Sequence, residues 1–395
     1  MTEQRPWFHT RPMAYAALGA ILAAILASLA PDWVLLSLCA VLIPVSVFLF
    51  RRRSVFFLLP IAAFFVLVRT VLLPTEIPAG AVSTFLSNLR GNLVGNADAL
   101  FSDEAATAKG ILLGDRTAMT AGEYAQYAQS GLLHLFAVSG LHVTILVGMI
   151  GKLIRTEHKW LSFGVLTLIL LFLCAVTGFS ASVLRAAFVL IALRLSDMRE
   201  RQADMPSVLC FAFCMTLLCE PFAYQTVSFQ LSFAAMGGMT LFAARFRRML
   251  PKRLRSSLIA RALFGAIAAM IGMLPLTAYY FQTLAWISIP LSIVLIPTMP
   301  VILLFGFLSV TLYGLLPQLA VILSYPAYGA IKLISIVTQN LDVPMLRLPA
   351  PHVATIVLYY VALLLCSPLF LPNRKRPPWI GLGALALATV LWFLL

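Results

Sequence analysis

The residues of this chain best placed to do chemistry at depth lie in Gly131 to Val143, GLLHLFAVSGLHV, where two histidines and a serine interrupt an otherwise apolar stretch. A run of about 20 apolar residues spans a bilayer, and Gly131 to Gly151 is such a run with His142 near its middle. On a continuous helix of about 3.6 residues per turn, Ser139 and His142 share a face and His134 lies about a quarter turn from His142. Polar groups so placed line a wet cavity or face a bundle interior. A serine beside a histidine can also act as a nucleophile with its base. The bland alternative is that Ser139 bonds back to a carbonyl, Gly140 admits a neighbouring helix and the histidines bond across helices. Arg185 sits about two turns inside another apolar run, Phe179 to Leu195. It needs a partner there: Glu220, Asp115 or an incoming anion such as a phosphate. Phe229, Gln230 and Ser232 bring a ring and two polar groups into one more apolar run. They suit stacking and bonding to bases, or equally the joining of helices.

The elements that must position these groups are membrane helices. Of the 395 residues, 62% are hydrophobic and 11% charged, and apolar runs of spanning length recur along the whole chain. No single soluble core could bury so many of them. The net charge of +14 could signal a nucleic-acid surface, but retention of Lys and Arg on the cytoplasmic side is the first explanation to test. Cytoplasmic assignments for residues 1–12, 51–53, 152–159, 194–204, 245–261 and 373–376 collect all but seven of the 28 basic residues. Those seven, Arg69, Arg90, Lys109, Arg116, Arg185, Lys332 and Arg347, need another account. The six cysteines lie in or beside apolar runs without metal-ligand spacing and read as small core residues. There is no GxxxxGK[ST] phosphate loop and no HExxH pattern, so neither a cofactor nor a metal is expected.

Read in order, the chain predicts an all-α, polytopic membrane protein with about a dozen transmembrane helices. Spans over 13–30, 33–50 and 54–73 make an N-terminal region, 1–74, that starts on the cytoplasmic side and carries no cleavable leader. Region 75–130 follows on the outer side. Its apolar residues from Ala81 to Phe101 recur at helical intervals, an amphipathic helical segment between spans 3 and 4 that lies on the membrane surface or, better, docks against the spans. A second helix is expected over Asp103 to Leu113, then the loop Gly114-Asp115-Arg116, then a helix opened by a capping box at Thr120 and Glu123. Region 131–371 holds the remaining polar sites, with Leu132 to Gly151 crossing as one span and Ile287 to Leu316 broken by its prolines. Region 372–395 is a basic loop and a last span.

The motifs resemble a known family. GILLGDR at Gly110 to Arg116, followed by His134-Leu135 and VSGLHV at Val138 to Val143, is similar to the paired signature of the competence domain of the ComEC DNA-uptake channel family. Thr177-Gly178 with Arg185-Ala186, and Phe229 to Phe233 after Pro221, match its next two motifs in order. Ser292 stands where the resemblance implies an asparagine. The family has an outer oligonucleotide-binding domain and often a C-terminal nuclease domain. Here Pro74 leads almost directly into the amphipathic helix and the sequence closes on an apolar run, so both soluble domains are expected to be missing and no nuclease activity is carried over.

The resemblance implies a channel in the bacterial inner membrane that passes single-stranded DNA into the cytoplasm during natural transformation. Its path would contain His134, Ser139, His142 and Arg185, with Asp115 and Arg116 at the outer mouth and Phe229 and Gln230 offering contacts to bases. Besides DNA and membrane lipid, the expected partners are a cytoplasmic helicase or ATPase near the basic loop Arg245 to Arg261 and an extracytoplasmic DNA-binding protein. The oligomeric state is left open. The rival expectations are an intramembrane serine-type hydrolase, a small-anion transporter, or a truncated relative without transport.

Overall fold

The computed structural model describes residues 12–29, 31–51, 58–72, 81–132, 135–136, 140–153, 158–200, 202–248, 251, 257–284, 287–340, 346–366 and 392. Along the chain the helices are α1 Pro12–Leu29, α2 Asp32–Arg51, α3 Leu58–Leu72, α4 Ala81–Phe101, α5 Ala105–Leu113, α6 Ala121–Gln129, α7 Gly140–Leu153, α8 Lys159–Val176 and α9 Ala181–Met198. They continue as α10 Met205–Cys219, α11 Val227–Gly238, α12 Ala244–Arg248, α13 Leu258–Phe281, α14 Ser288–Leu295, α15 Met299–Leu312, α16 Pro317–Gln339 and α17 Val353–Cys366. The all-α expectation holds apart from two short strands, β1 Thr283–Leu284 and β2 Leu346–Arg347, paired antiparallel with Thr283 opposite Arg347.

Among the described residues four helical stretches are long and apolar enough to cross a bilayer: Lys159–Val176, Val227–Arg248, Leu263–Phe281 and Pro317–Gln339. The outward faces of two of them are apolar. On α16, Leu319, Ile322, Tyr325, Leu333 and Ile336 are exposed while Ala320, Ala327, Ile331 and Ile334 are buried. On α8, Trp160, Leu161, Leu168 and Leu171 are exposed opposite the buried Leu166, Leu170 and Leu173. Apolar stripes of this extent are what acyl chains solvate, and water would not.

Packing divides the chain into two units. The first comprises Met1–Leu73, Ala203–Leu284 and Leu346–Leu395. Small residues let its helices touch backbone to backbone. A Cβ on Gly19 of α1 would stand 2.0 Å from the Leu59 carbonyl oxygen of α3. Where α11 meets α13, a Cβ on Gly238 would stand 2.2 Å from the Ala268 carbonyl oxygen, and one on Gly272 2.2 Å from that of Ala234. Directly after Gly238 the helix widens into a π turn, Met239–Ala243. α10 starts with Asp204 accepting from the Ser207 amide and ends at Cys219, just before Pro221.

The second unit comprises Pro74–Gln202 and Ala285–Met345. α4 forms over the stripe read from sequence, with Leu93, Ala97 and Phe101 buried. α4 docks lengthwise on the α15–α16 hairpin. Asn96 Nδ2 donates to the Val310 carbonyl at 2.9 Å, close to the hairpin tip, and Lys332 Nζ donates to Asp103 at 2.6 Å. Lys332 lies about 22 Å along α16 from Pro317, at about 1.5 Å per residue. The run from Ile287 to Leu316 breaks at the 3-10 turn Ile296–Thr298, beside Pro297 and Pro300, which lack amide hydrogens.

One expectation is corrected here. Leu132 to Gly151 is not one continuous span, because α7 starts only at Gly140. α6 ends in a Schellman turn, with Gly131 at φ 70, its amide donating to the Ala128 carbonyl at 3.0 Å and the Leu132 amide to that of Tyr127 at 2.9 Å. His142 therefore sits in the first turn of a helix, not in the middle of one.

Candidate functional site

The site builds up around Phe136 in the second unit. This ring is fully buried and meets Tyr127 edge-on at 4.4 Å between centroids. It also covers Gly110 so closely that a Cβ there would lie 2.4 Å from Phe136 Cδ1. Four residues on, Gly114 closes α5 at φ 70, sending its amide to the Gly110 carbonyl at 3.2 Å while the Asp115 amide reaches that of Lys109 at 3.2 Å. The turn then aims Arg116 back, and its Nε donates to the Phe136 carbonyl at 3.3 Å. Both ends of the stretch from Gly110 to Arg116 thus touch Phe136, 20 residues beyond Arg116.

Asp115 stabilises its own turn, accepting at Oδ1 from the Thr117 amide at 3.0 Å and the Thr117 hydroxyl at 2.8 Å. Burial alone would raise this carboxyl. The Thr117 bonds and the charges of Arg90 and Lys109 outweigh burial and hold it below the ordinary range.

Arg185 on α9 and His142 on α7 are each only 1% exposed. Arg185 Nη2 donates to Ser182 Oγ at 2.9 Å. α7 and α9 touch through Gly140, whose Cβ would sit 3.6 Å from that of Ala186, so the two groups belong to one helix pair. α8 ends in a second Schellman turn, with Gly178 at φ 65 and Phe179 at φ 54, Gly178 donating to Ala175 at 3.2 Å and Phe179 to Cys174 at 2.6 Å. Above it lies Arg90, whose Nη1 would be 2.9 Å from a Cβ on Gly178. His134 and Ser139 lie outside the described residues.

Phe229 and Gln230 belong to the first unit. Phe229 is 3% exposed, and its ring packs on Phe213 at 5.3 Å and Phe233 at 4.5 Å between centroids. The face expected to stack on bases is occupied by these neighbours. Gln230 joins helices: its Nε2 donates to the Tyr224 carbonyl at 2.9 Å and its Oε1 accepts from the Tyr280 hydroxyl at 2.7 Å.

Sequence reasoning missed a polar cluster that fastens region 75–130 to α16. Lys332 Nζ reaches Asp103 at 2.6 Å and Glu104 at 3.1 Å, and the Tyr328 hydroxyl donates to Asp103 at 2.9 Å. Ser335 Oγ donates to Glu104 Oε2 at 2.5 Å. A serine has one hydrogen, so Tyr127 donates in its 3.1 Å bond to Ser335, and Thr107 in turn donates to Tyr127 at 3.4 Å. The signal was present in part, since Lys332 stood among the cations unexplained by topology. Lys109 is settled likewise, paired with Asp98 at 2.6 Å.

Apolar outer stripes around buried histidine, arginine and carboxylate groups define an integral membrane protein with a polar interior. A family model described as Competence protein matches residues 111–372, well over half the chain. ComE operon protein 3 of Bacillus subtilis (strain 168) is 29% identical over 216 residues, which are 53% of this chain and 27% of that protein's length. No solved structure matches. The chain belongs to the competence protein family, the ComEC-type family that its motifs resemble.

Proposed function

We propose that this chain conducts single-stranded DNA across the bacterial cytoplasmic membrane into the cell during natural transformation. The observation that carries the reading is the contact of the first motif, through Gly110 and Arg116, with Phe136, which lies between the two parts of the second, in the same unit as the buried Arg185 and His142. A charge buried in a membrane protein usually faces a polar partner or an ion path, and phosphates are the anions that such a path would carry. The work is transport, with no bond-breaking step assigned to these residues.

The charge rule supports a cytoplasmic N-terminus and about a dozen crossings. Drawing an anion into a negative cytoplasm opposes the membrane potential by about 2.3 kcal/mol per charge per 100 mV. A cytoplasmic helicase or ATPase would supply this work, docking beside Arg245, Arg247 and Arg248 of α12, and an extracytoplasmic DNA-binding protein would deliver the strand.

Uptake of labelled DNA into the cytoplasm tests the reading, in a strain lacking the chain and complemented with wild type, His142→Ala or Arg185→Ala at matched membrane levels. Wild type restores uptake and each variant lowers it at least about tenfold, the equivalent of about 1.4 kcal/mol. Undiminished uptake in the strain lacking the chain refutes the proposal.

A further inference from the structure

Phe229 is closed off by its neighbours, but other rings of the first unit stand open. Among the described residues of α13 the exposed ones are confined to the last turn, where Tyr279 is 41%, Tyr280 36% and Phe281 53% exposed. Polar contacts hold these rings in place. The Tyr280 hydroxyl donates to Gln230 Oε1 at 2.7 Å, and its ring meets that of Tyr279 edge-on at 5.1 Å between centroids. Gln230 donates in turn to the Tyr224 carbonyl at 2.9 Å, and the Tyr224 hydroxyl to Ser28 near the end of α1 at 2.9 Å. The backbone brings a cation to the same end. Gln282, at φ 54, closes α13, and its carbonyl accepts from the Leu348 amide at 3.0 Å. Thr283 then pairs with Arg347 across the two strands, so the Cα of Arg347 lies at most about 12 Å from that of Phe281. Arg347 is exposed, enters no ion pair among the described residues, and is one of the seven cations that topology does not explain.

We propose that Tyr279, Tyr280 and Phe281 form, with Arg347, a stacking platform that receives single-stranded DNA at the outer end of the first unit. Every base has a face that stacks on an aromatic ring, and a guanidinium fork matches two phosphate oxygens. Three or four stacked nucleotides, at about 3.4 Å each, cover the separation between Phe281 and Arg347. One cation beside several rings holds any sequence without capturing it tightly. An anchor at the lipid interface would continue a lipid-facing stripe, as Trp160 does on α8, and the rings on α13 continue none. α11 and α12 run into the basic loop and α13 leaves it, so on the charge rule the end carrying the rings faces outward. The platform rests on the DNA-channel reading for its ligand, but it lies in a different unit from Arg185 and His142.

The test uses the full chain in nanodiscs of zwitterionic lipid, a fluorescent oligothymidylate of about 20 nucleotides, longer than the roughly 4–16 of a typical single-strand site, and an abasic strand of equal length. Anisotropy is followed against salt. Phe281→Leu keeps an apolar side chain without a stacking face, and weakens oligothymidylate binding about fivefold or more while leaving the abasic strand unchanged. Phe281→Trp offers a larger ring and tightens oligothymidylate binding about 2–5-fold, a gain that misfolding cannot produce. Arg347→Gln weakens both strands and lowers the salt slope by about 0.7, one phosphate contact on a single strand. A wild type that does not bind the oligothymidylate, or equal losses on both strands in Phe281→Leu, overturns the platform. Unchanged binding in both Phe281 variants also overturns it and leaves the rings to the lipid interface. If the variants bind as wild type while uptake still requires the chain, only the platform falls. If they respond as stated while uptake proceeds without the chain, the platform stands and the channel reading falls.

Discussion

Removing one hydroxyl, in Ser335→Ala, should loosen the attachment of region 75–130 to α16. Ser335 is buried, donates to Glu104 at 2.5 Å and accepts from Tyr127 at 3.1 Å. A hydrogen bond to a charged group is worth about 1.5–3 kcal/mol, and leaving a buried tyrosine hydroxyl without its acceptor costs about 1 kcal/mol more. Alanine returns about 0.5 kcal/mol as a better helix former than serine. The expected loss is therefore about 2–3.5 kcal/mol. Tyr127→Phe alone removes the donor and should cost about 1 kcal/mol. Because that donor has already lost its acceptor in Ser335→Ala, the double variant should be about 1 kcal/mol more stable than the sum of the single losses. Denaturant unfolding of the four proteins in one detergent gives the cycle. Hydrogen exchange across residues 102–113 should rise in Ser335→Ala. A Ser335→Ala protein within about 0.5 kcal/mol of wild type, or strictly additive losses, would refute the assigned bond directions.

Two further outcomes follow from the geometry. Asp103 is held below the ordinary carboxylate value of 3.8 by its bond from Lys332 and then that from Tyr328, and Asp115 is also depressed, burial being outweighed by Thr117 and nearby cations. A depressed folded-state pKa stabilises above the unfolded value and is lost as pH falls through the folded one. Stability should thus hold from neutral pH to about pH 4 and decline below it, and Asp103→Asn should flatten the decline in an acid titration of unfolding. On α11, Gly237→Ala meets nothing within 4 Å, whereas Gly238→Ala drives a methyl to 2.2 Å from a backbone oxygen. The first should be neutral or gain up to about 1 kcal/mol, and the second should lose about 1–3 kcal/mol or more, by the same unfolding assay.

Local chemistry was legible wherever a few neighbouring residues decide it. The capping box at Thr120 forms as read, with the Glu123 amide donating to Thr120 Oγ1 at 3.2 Å and Glu123 Oε2 accepting from the Thr120 amide at 2.8 Å. The stripe on α4 and the proline break after Leu295 are of the same kind. Gly131 was obscured because the apolar residues around it read equally well as a helix interior and as a buried turn. The partners of Lys332 were out of reach for a different reason. Asp103 lies 229 positions away, and no periodicity links the two. Phe229 shows the same limit, since aromatic composition alone does not say whether a ring is offered to a ligand or consumed by Phe213 and Phe233.

The end of α6 at Gly131 has a consequence for how the second unit sits among lipids. Acyl chains neither donate nor accept hydrogen bonds, so backbone that leaves the helix must be matched by protein or water. The Phe136 carbonyl is matched by Arg116, and Ser130, Leu132, Leu135 and Phe136 are all buried. The described residues just named are therefore covered by protein, while the apolar stripes of α8 and α16 stand bare. The unit thus joins bare apolar stripes, which lipid can cover, to a turn whose polar backbone only protein or water can satisfy.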